Sequence, residues 1–298
     1  MTDKSLITTD VAQSYVLSKA EAARILDSLR RNGVAAVRGF VPKQDVAELR
    51  QTAEVATTDG FVYGAANSLA VKVVEAEGTR DFGHPFLISP AATRIVTCGA
   101  LLDLVGAYLG DQPIIHHGLF QRSLPLDQML LDWHIDVGSN KRLNGVAKFP
   151  DVRLRSILYL GDVESGGLGY IIGSAAEAKA AFLPLPSGQM FPTDKIPADP
   201  ARRVMINEPA GTLVLFDTHG LHRPEVPKQE RLVMNVWFAR KDFHANLPPV
   251  LFSVSNVPPA NRDRISVFDN ARGAETLTKP EPVKAPSMVK RLVRRLAG

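Results

Sequence analysis

The chain has 298 residues, 45% of them hydrophobic and 22% charged, with seven histidines and one cysteine, Cys98. This composition fits a soluble globular core built as one large domain or two small ones, and it excludes an internal disulfide and any cysteine metal cluster. The formal net charge is +4, but residues 279–298 hold six Lys/Arg against one Glu, a net of +5, which leaves −1 for residues 1–278 and argues against a broad nucleic-acid-binding face.

The N-terminal stretch MTDKSLITTDVAQSYVLSK scatters charge through its apolar residues, so it does not read as a secretory signal. With the single cysteine, this points to a reducing, cytoplasmic compartment. No run is long and apolar enough to span a bilayer.

Residues 18–31 predict an amphipathic helix. Ser18 and Glu21 form a capping box, Ala22, Ile25, Leu26 and Leu29 recur at helical spacing, and Asn32-Gly33 ends the pattern. VAAVRGFV (34–41) reads as a strand, and Pro42 opens a second helix over roughly 43–57. Residues 58–93 are broken by glycines and Pro85 and read as loops, with LAVKVVEA the best candidate element. Residues 94–109 read as one buried helix. From residue 113 the texture changes to short apolar runs at 113–123, 130–137, 154–160, 168–172, 212–217 and 231–239, a pattern that predicts a β-sandwich or barrel. The expected architecture is one α+β domain over 1–270, with a β-core at about 113–240, helices packed outside it, and a Pro-rich basic tail at 271–298.

Within LDWHIDVGSN, His134 and Asp136 are two residues apart, so in an extended segment they share a face. Such a pair is half of a metal site or an ordinary ion pair. A third ligand is available downstream in GTLVLFDTHGLHRPEV, from His219 or His222, and the strand that follows begins at Arg231. Two histidines and one carboxylate with open positions form the facial triad of non-haem Fe(II) oxygenases, in which co-substrate and O₂ share the metal.

The ordered set His134-x-Asp136, 85 residues, His222 and then Arg231 resembles the Fe(II)/2-oxoglutarate-dependent dioxygenases, and within them the phytanoyl-CoA dioxygenase-like branch. WHID matches that branch's Trp-His-x-Asp. LYLGDVESGGLGYIIGSAAEA and GTLVLFDTHGLHR resemble two further segments of it, with Ile172, Ala175 and Thr212 standing where the branch has Pro, His and Asp. The resemblance covers roughly residues 18–240. It implies a double-stranded β-helix, or jelly-roll, with Fe(II) held by His134, Asp136 and His222. It also implies a 2-oxoglutarate co-substrate whose far carboxylate pairs with Arg231, and consumption of O₂ with release of succinate and CO₂. Ascorbate enters as an accessory reductant. Related halogenases lack the carboxylate ligand, so Asp136 implies hydroxylation or another hydrogen-abstraction outcome on a small-molecule metabolite.

Gln121, shortly before the His134 turn, is a candidate for bonding the co-acid or substrate, or an ordinary polar strand residue. Asn235 and Trp237 share strand parity with Arg231, which places them toward the interior, Asn235 as a pocket group or a satisfied core amide. His116 and His117 sit on one strand, so one of them faces inward. His219 lines the pocket or faces solvent. Residues 58–93, 138–152 and 176–207 are expected around the pocket mouth. In the tail, MVKRLVRRL reads as a flexible solvated segment or as a short basic amphipathic helix, a weak peripheral membrane contact that would favour a lipid-linked substrate. The rival assignments are a jelly-roll metalloenzyme that does not use 2-oxoglutarate and a non-catalytic binding protein that keeps the fold.

Overall fold

Ser18 starts the first helix: the Glu21 backbone N–H donates to Ser18 Oγ at 3.2 Å, and the Ser18 N–H donates to Glu21 Oε2 at 2.7 Å. In the computed structural model, which describes residues 5, 7–12, 15–63, 69–71, 73–129, 131–136, 153–181, 199–241, 250–268 and 281–282, this helix ends at Gly33. Gly33 has φ +80°, and a Cβ there would collide with the Tyr170 hydroxyl; only glycine takes this conformation without cost.

In chain order the elements are β1 (Thr8–Asp10), α1 (Lys19–Asn32), β2 (Val34–Arg38), α2 (Lys43–Asp59), β3 (Phe61–Tyr63), β4 (Leu69–Val71), β5 (Val74–Ala76) and β6 (Thr79–Gly83). Next come α3 (Pro85–Ile88), α4 (Pro90–Val96), α5 (Gly99–Leu109), β7 (Pro113–Ser123), β8 (Arg153–Tyr159), β9 (Leu168–Ile171) and α6 (Ser174–Ala181). The chain then forms β10 (Arg203–Ile206), β11 (Leu213–Asp217), β12 (His222–Pro224), β13 (Arg231–Arg240) and β14 (Glu281–Pro282).

The main sheet has eight strands in the order β1-β2-β11-β8-β13-β7-β6-β5, antiparallel except for β1 against β2. A three-stranded antiparallel sheet, β10-β9-β12, stands opposite. The two enclose a core of Ile157, Tyr159, Tyr170, Ile206, Val214, Phe216 and Val233. The reverse face of the main sheet gives Leu154, Leu158, Leu215, Met234 and Phe238 to a second cluster, which also contains Ile25 and Leu29 of α1 and Leu49 and Ala53 of α2. Strand alternation explains the split: on β8, Arg155, Ile157 and Tyr159 face one way while Leu154 and Leu158 face the other. A large, mostly antiparallel sheet closed by a smaller one agrees with a jelly-roll core.

Several expectations need correction. Residues 58–93 are not mainly loops: β6 pairs with β7 in the main sheet, and β3 pairs with β4 and β14 in a separate small sheet. The main sheet draws on β1, β2, β5 and β6, well before residue 113. The single helix at 94–109 is two helices, α4 and α5, bent by 45°. Among the described residues no single helix is long and apolar enough to cross a membrane. Residues 131–136 make one isolated bridge rather than a strand. Of the predicted tail only Glu281 and Pro282 are described, so the basic segment after them lies outside the described residues, as do 138–152 and 182–198.

Candidate metal centre

His134 and His222 face each other across the isolated bridge. Each backbone N–H donates to the other's carbonyl at 3.0 Å. The Asp136 N–H donates to Thr218 O, also at 3.0 Å, so the 131–136 segment is pinned to the turn between β11 and β12. The two imidazole centres are 4.4 Å apart.

Each ring is oriented by its own backbone. His134 Nδ1 lies 2.8 Å from Asp132 O, and His222 Nδ1 lies 2.8 Å from Gly220 O. A carbonyl only accepts, so Nδ1 carries the proton and Nε2 carries the lone pair. Both Nε2 atoms turn toward Asp136 Oδ1, at 3.7 Å from His134 and 3.6 Å from His222. The three ligand atoms all lie within 4.8 Å of one another. Two imidazole nitrogens and one carboxylate oxygen grouped in this way could hold a metal ion. His222 is 2% exposed, and its Nε2 has no hydrogen-bond partner among the described residues. A buried orphan acceptor is costly unless something binds it. Burial, followed by the neighbouring His222, pushes the His134 imidazolium down toward the neutral ligating form. Burial works against charge on Asp136, but His222 and Arg155 outweigh it and hold the carboxyl below the usual carboxylate range.

The turn that carries His222 is tied from behind. The Asp217 carboxylate, fully buried, accepts from the His219 backbone N–H at 2.9 Å, from His219 Nδ1 at 2.7 Å, from Lys179 Nζ at 2.5 Å and from the Tyr108 hydroxyl. The Tyr170 hydroxyl donates to Asp217 O at 3.0 Å, and the Leu221 N–H donates to Ser174 Oγ at 2.8 Å. His219 is therefore neither a pocket wall nor solvent-facing: it is 0% exposed and serves the turn. Trp133, beside the first ligand, stacks under Arg223, whose guanidinium lies 4.5 Å from the ring centre and bonds Glu225 and Asp132.

Arg231 is buried on β13. It donates to Gly166 O and, at 3.0 Å, to Ser123 Oγ, and its Nε is buried without a partner among the described residues. No carboxylate lies within ion-pairing distance of it among the described residues. It lines a pocket of about 220 Å³ with Gln121, Ser123, Thr79, Leu131 and Pro224. Pro224 sits two residues beyond His222 on the same strand, which places this pocket next to the histidine cluster, although the three ligands are not among its walls.

Gln121 thus shares a cavity with Arg231. Asn235 does not; its Oδ1 accepts from Arg155 Nη2 at 2.9 Å and from Nε at 3.3 Å. His117 is exposed, with its ring 4.9 Å from Trp237, and His116 is the extra residue where the β7–β13 register shifts, a β-bulge. Tyr159 joins the two sheets, donating to Ile206 O at 2.6 Å and accepting from the Leu168 N–H at 3.2 Å. Sequence reasoning missed Arg155 and Asp217. The signal for Arg155 was present in its parity with Tyr159, which places a cation on an inward face. Asp217 is two residues from His219, a spacing that gives no hint of its four donors.

No family model matches the chain, and no curated protein matches it. Many solved structures do share its fold. The epimerase SnoN in complex with Fe3+, alpha ketoglutarate and nogalamycin RO aligns with TM-score 0.55 at 15% identity, over 90% of this chain and 97% of that one. EctD from S. alaskensis with 2-oxoglutarate and 5-hydroxyectoine aligns with TM-score 0.56 at 17% identity, over 87% and 88%. SnoK, described as a non-heme alpha ketoglutarate dependent carbocyclase from nogalamycin biosynthesis, aligns with TM-score 0.53 at 17% identity, over 75% and 84%. At these identities the likeness is one of fold.

Proposed function

We propose that this chain is a non-haem Fe(II)/2-oxoglutarate-dependent oxygenase of a small molecule, with hydroxylation as its outcome and the phytanoyl-CoA dioxygenase-like enzymes as its nearest branch. The observation that carries the proposal is the orphaned His222 Nε2 facing Asp136 Oδ1 at 3.6 Å, with the His134 Nε2 completing the face. Two neutral nitrogens and one carboxylate oxygen suit a ferrous ion and leave positions for other ligands. When bound, the iron supplies O₂ activation coupled to oxidation of the co-acid.

The chain's own residues do the placing. The Asp132 and Gly220 carbonyls hold the histidine rings in their ligating tautomers. Arg231 brings a buried, permanently charged fork with no carboxylate partner among the described residues, which matches the far carboxylate of 2-oxoglutarate. Ser123 Oγ steadies one arm of that fork, and Gln121 offers an amide on the same wall. The neighbours named above work with alpha ketoglutarate on epimerisation and carbocyclisation as well as binding a hydroxylated ectoine, so the shared fold supports the co-substrate more than it selects the reaction.

The test is an anaerobic titration of the Fe(II)-loaded protein with 2-oxoglutarate. A weak, saturable visible charge-transfer band is expected. Iron that binds without giving the band would overturn the assignment in favour of a jelly-roll metalloenzyme that does not use 2-oxoglutarate.

A further inference from the structure

Arg155 stands on the inner face of β8, between Phe216 on β11 and Trp237 on β13. Its guanidinium carbon lies 4.1 Å from the Trp237 ring centre and 5.7 Å from that of Phe216. Two of its nitrogens donate to Asn235 Oδ1. Its Nη1 has no protein partner among the described residues, and no carboxylate there lies within ion-pairing distance. The adjacent Asn235 is 0% exposed, and its Nδ2 is a buried donor without a partner among the described residues. Arg155 is near enough to influence Asp136 and His134 at the metal centre, and Arg231 and Asp81 as well.

The charges in the barrel explain why this matters. A divalent cation, the Asp136 carboxylate, a 2-oxoglutarate dianion and the Arg231 guanidinium cancel. Arg155 is left over. Asp81, whose carboxyl burial pushes up, feels Arg155 but makes no ion pair with it among the described residues. A half-buried cation with no ion-pair partner among the described residues, stacked and hydrogen-bonded into a fixed orientation, is suited to receive an anion.

We propose that Arg155, stacked on Trp237 and backed by the Asn235 amide, is a second oxyanion site beside the metal, and that it holds the carboxylate, sulfonate or phosphate group of the molecule to be oxidised. This rests on the oxygenase reading for its meaning, though not for its detection. The arginine fork takes an oxyanion with two parallel hydrogen bonds, and Asn235 Nδ2 supplies a third donor. Substrates lacking an anionic group are expected to be poor, because they leave the cation without a partner.

The chain has two tryptophans, so a Trp133→Phe background leaves Trp237 as the only indole, directly under Arg155. Acetate, sulfate and phosphate are titrated against Trp237 emission, first in the metal-free protein and then with Zn(II) and 2-oxoglutarate bound. A saturable response is expected in both, with affinity reduced at least tenfold by Arg155→Met or Arg155→Gln and partly restored by Arg155→Lys. The 2-oxoglutarate charge-transfer titration of the same variants with Fe(II) is expected to shift less than the anion titration, by no more than a few-fold through the field of Arg155 on Asp136. The glutamine variant keeps polarity and bulk should the methionine variant fail to fold. A flat Trp237 response, or one that the variants leave unchanged, overturns the proposal. A tenfold loss of 2-oxoglutarate affinity in the variants also overturns it, since the site then belongs to the co-substrate. Failure of wild type to give any charge-transfer band sinks the oxygenase reading alone, because the anion titration in the metal-free protein does not depend on it.

Discussion

His134 and His222 exchange both of their backbone hydrogen bonds, each 3.0 Å long. Two imidazoles far apart in sequence are thereby clamped side by side before any ion arrives. Ligand placement is built into the backbone, and the Asp132 and Gly220 carbonyls complete it by fixing both tautomers.

Replacing the third ligand should abolish tight metal binding. Asp136→Asn is expected to lower ferrous affinity by more than roughly 100-fold, beyond the usual cost of an outer-shell change. Equilibrium dialysis under anaerobic conditions measures this. Retention of affinity within tenfold of wild type would show that the carboxylate does not ligate.

Arg231→Met should separate co-substrate from metal. Loss of charged hydrogen bonds costs about 1.5–3 kcal/mol, so the dissociation constant for 2-oxoglutarate should rise on the order of 10- to 100-fold. Iron binding should be unchanged. An unaltered co-substrate titration would move the role to another cation.

Asp217→Asn tests the knot behind the turn. It removes the charged partner of Lys179 and His219 in a fully buried site, at a cost of roughly 3 kcal/mol in urea unfolding. The pH dependence has a definite sign. His219, followed by Lys179, outweighs burial and holds the Asp217 carboxyl below its unfolded value. Its contribution is therefore present above about pH 4 and is lost as pH falls further toward the folded value. The variant should show a shallower loss of stability on that acid limb; equal slopes would mean that other carboxylates control it.

Gly220→Ala probes the same turn by shape. A Cβ at Gly220 would run into the Tyr170 ring and hydroxyl, which donates to Asp217 O. Overpacking of this kind costs about 1–3 kcal/mol. It should also weaken metal binding, because Gly220 O orients His222. A variant with wild-type metal affinity and a lowered melting temperature would show that the clash is absorbed away from the turn.

The sequence by itself determined the local signals: the Ser18–Glu21 capping box, the Gly33 stop, the alternating strands of the core, and the spacing that nominates His134, Asp136 and His222. These are written in short-range chemistry, and a single chain displays them directly. The family resemblance nominated Arg231, and strand parity carried Asn235 and Trp237 to the same face. The tertiary structure alone decided the rest. It buried His219 against Asp217 instead of opening it to the pocket, inserted His116 as a bulge, split the helix at 94–109, and brought β6 into the sheet. It also placed Arg155 over Trp237 with Asn235 as its only hydrogen-bond acceptor among the described residues. Each of these depends on which strand lies beside which. Strand neighbours are fixed by burial summed over the whole sheet, a long-range quantity that residue spacing along one strand does not contain.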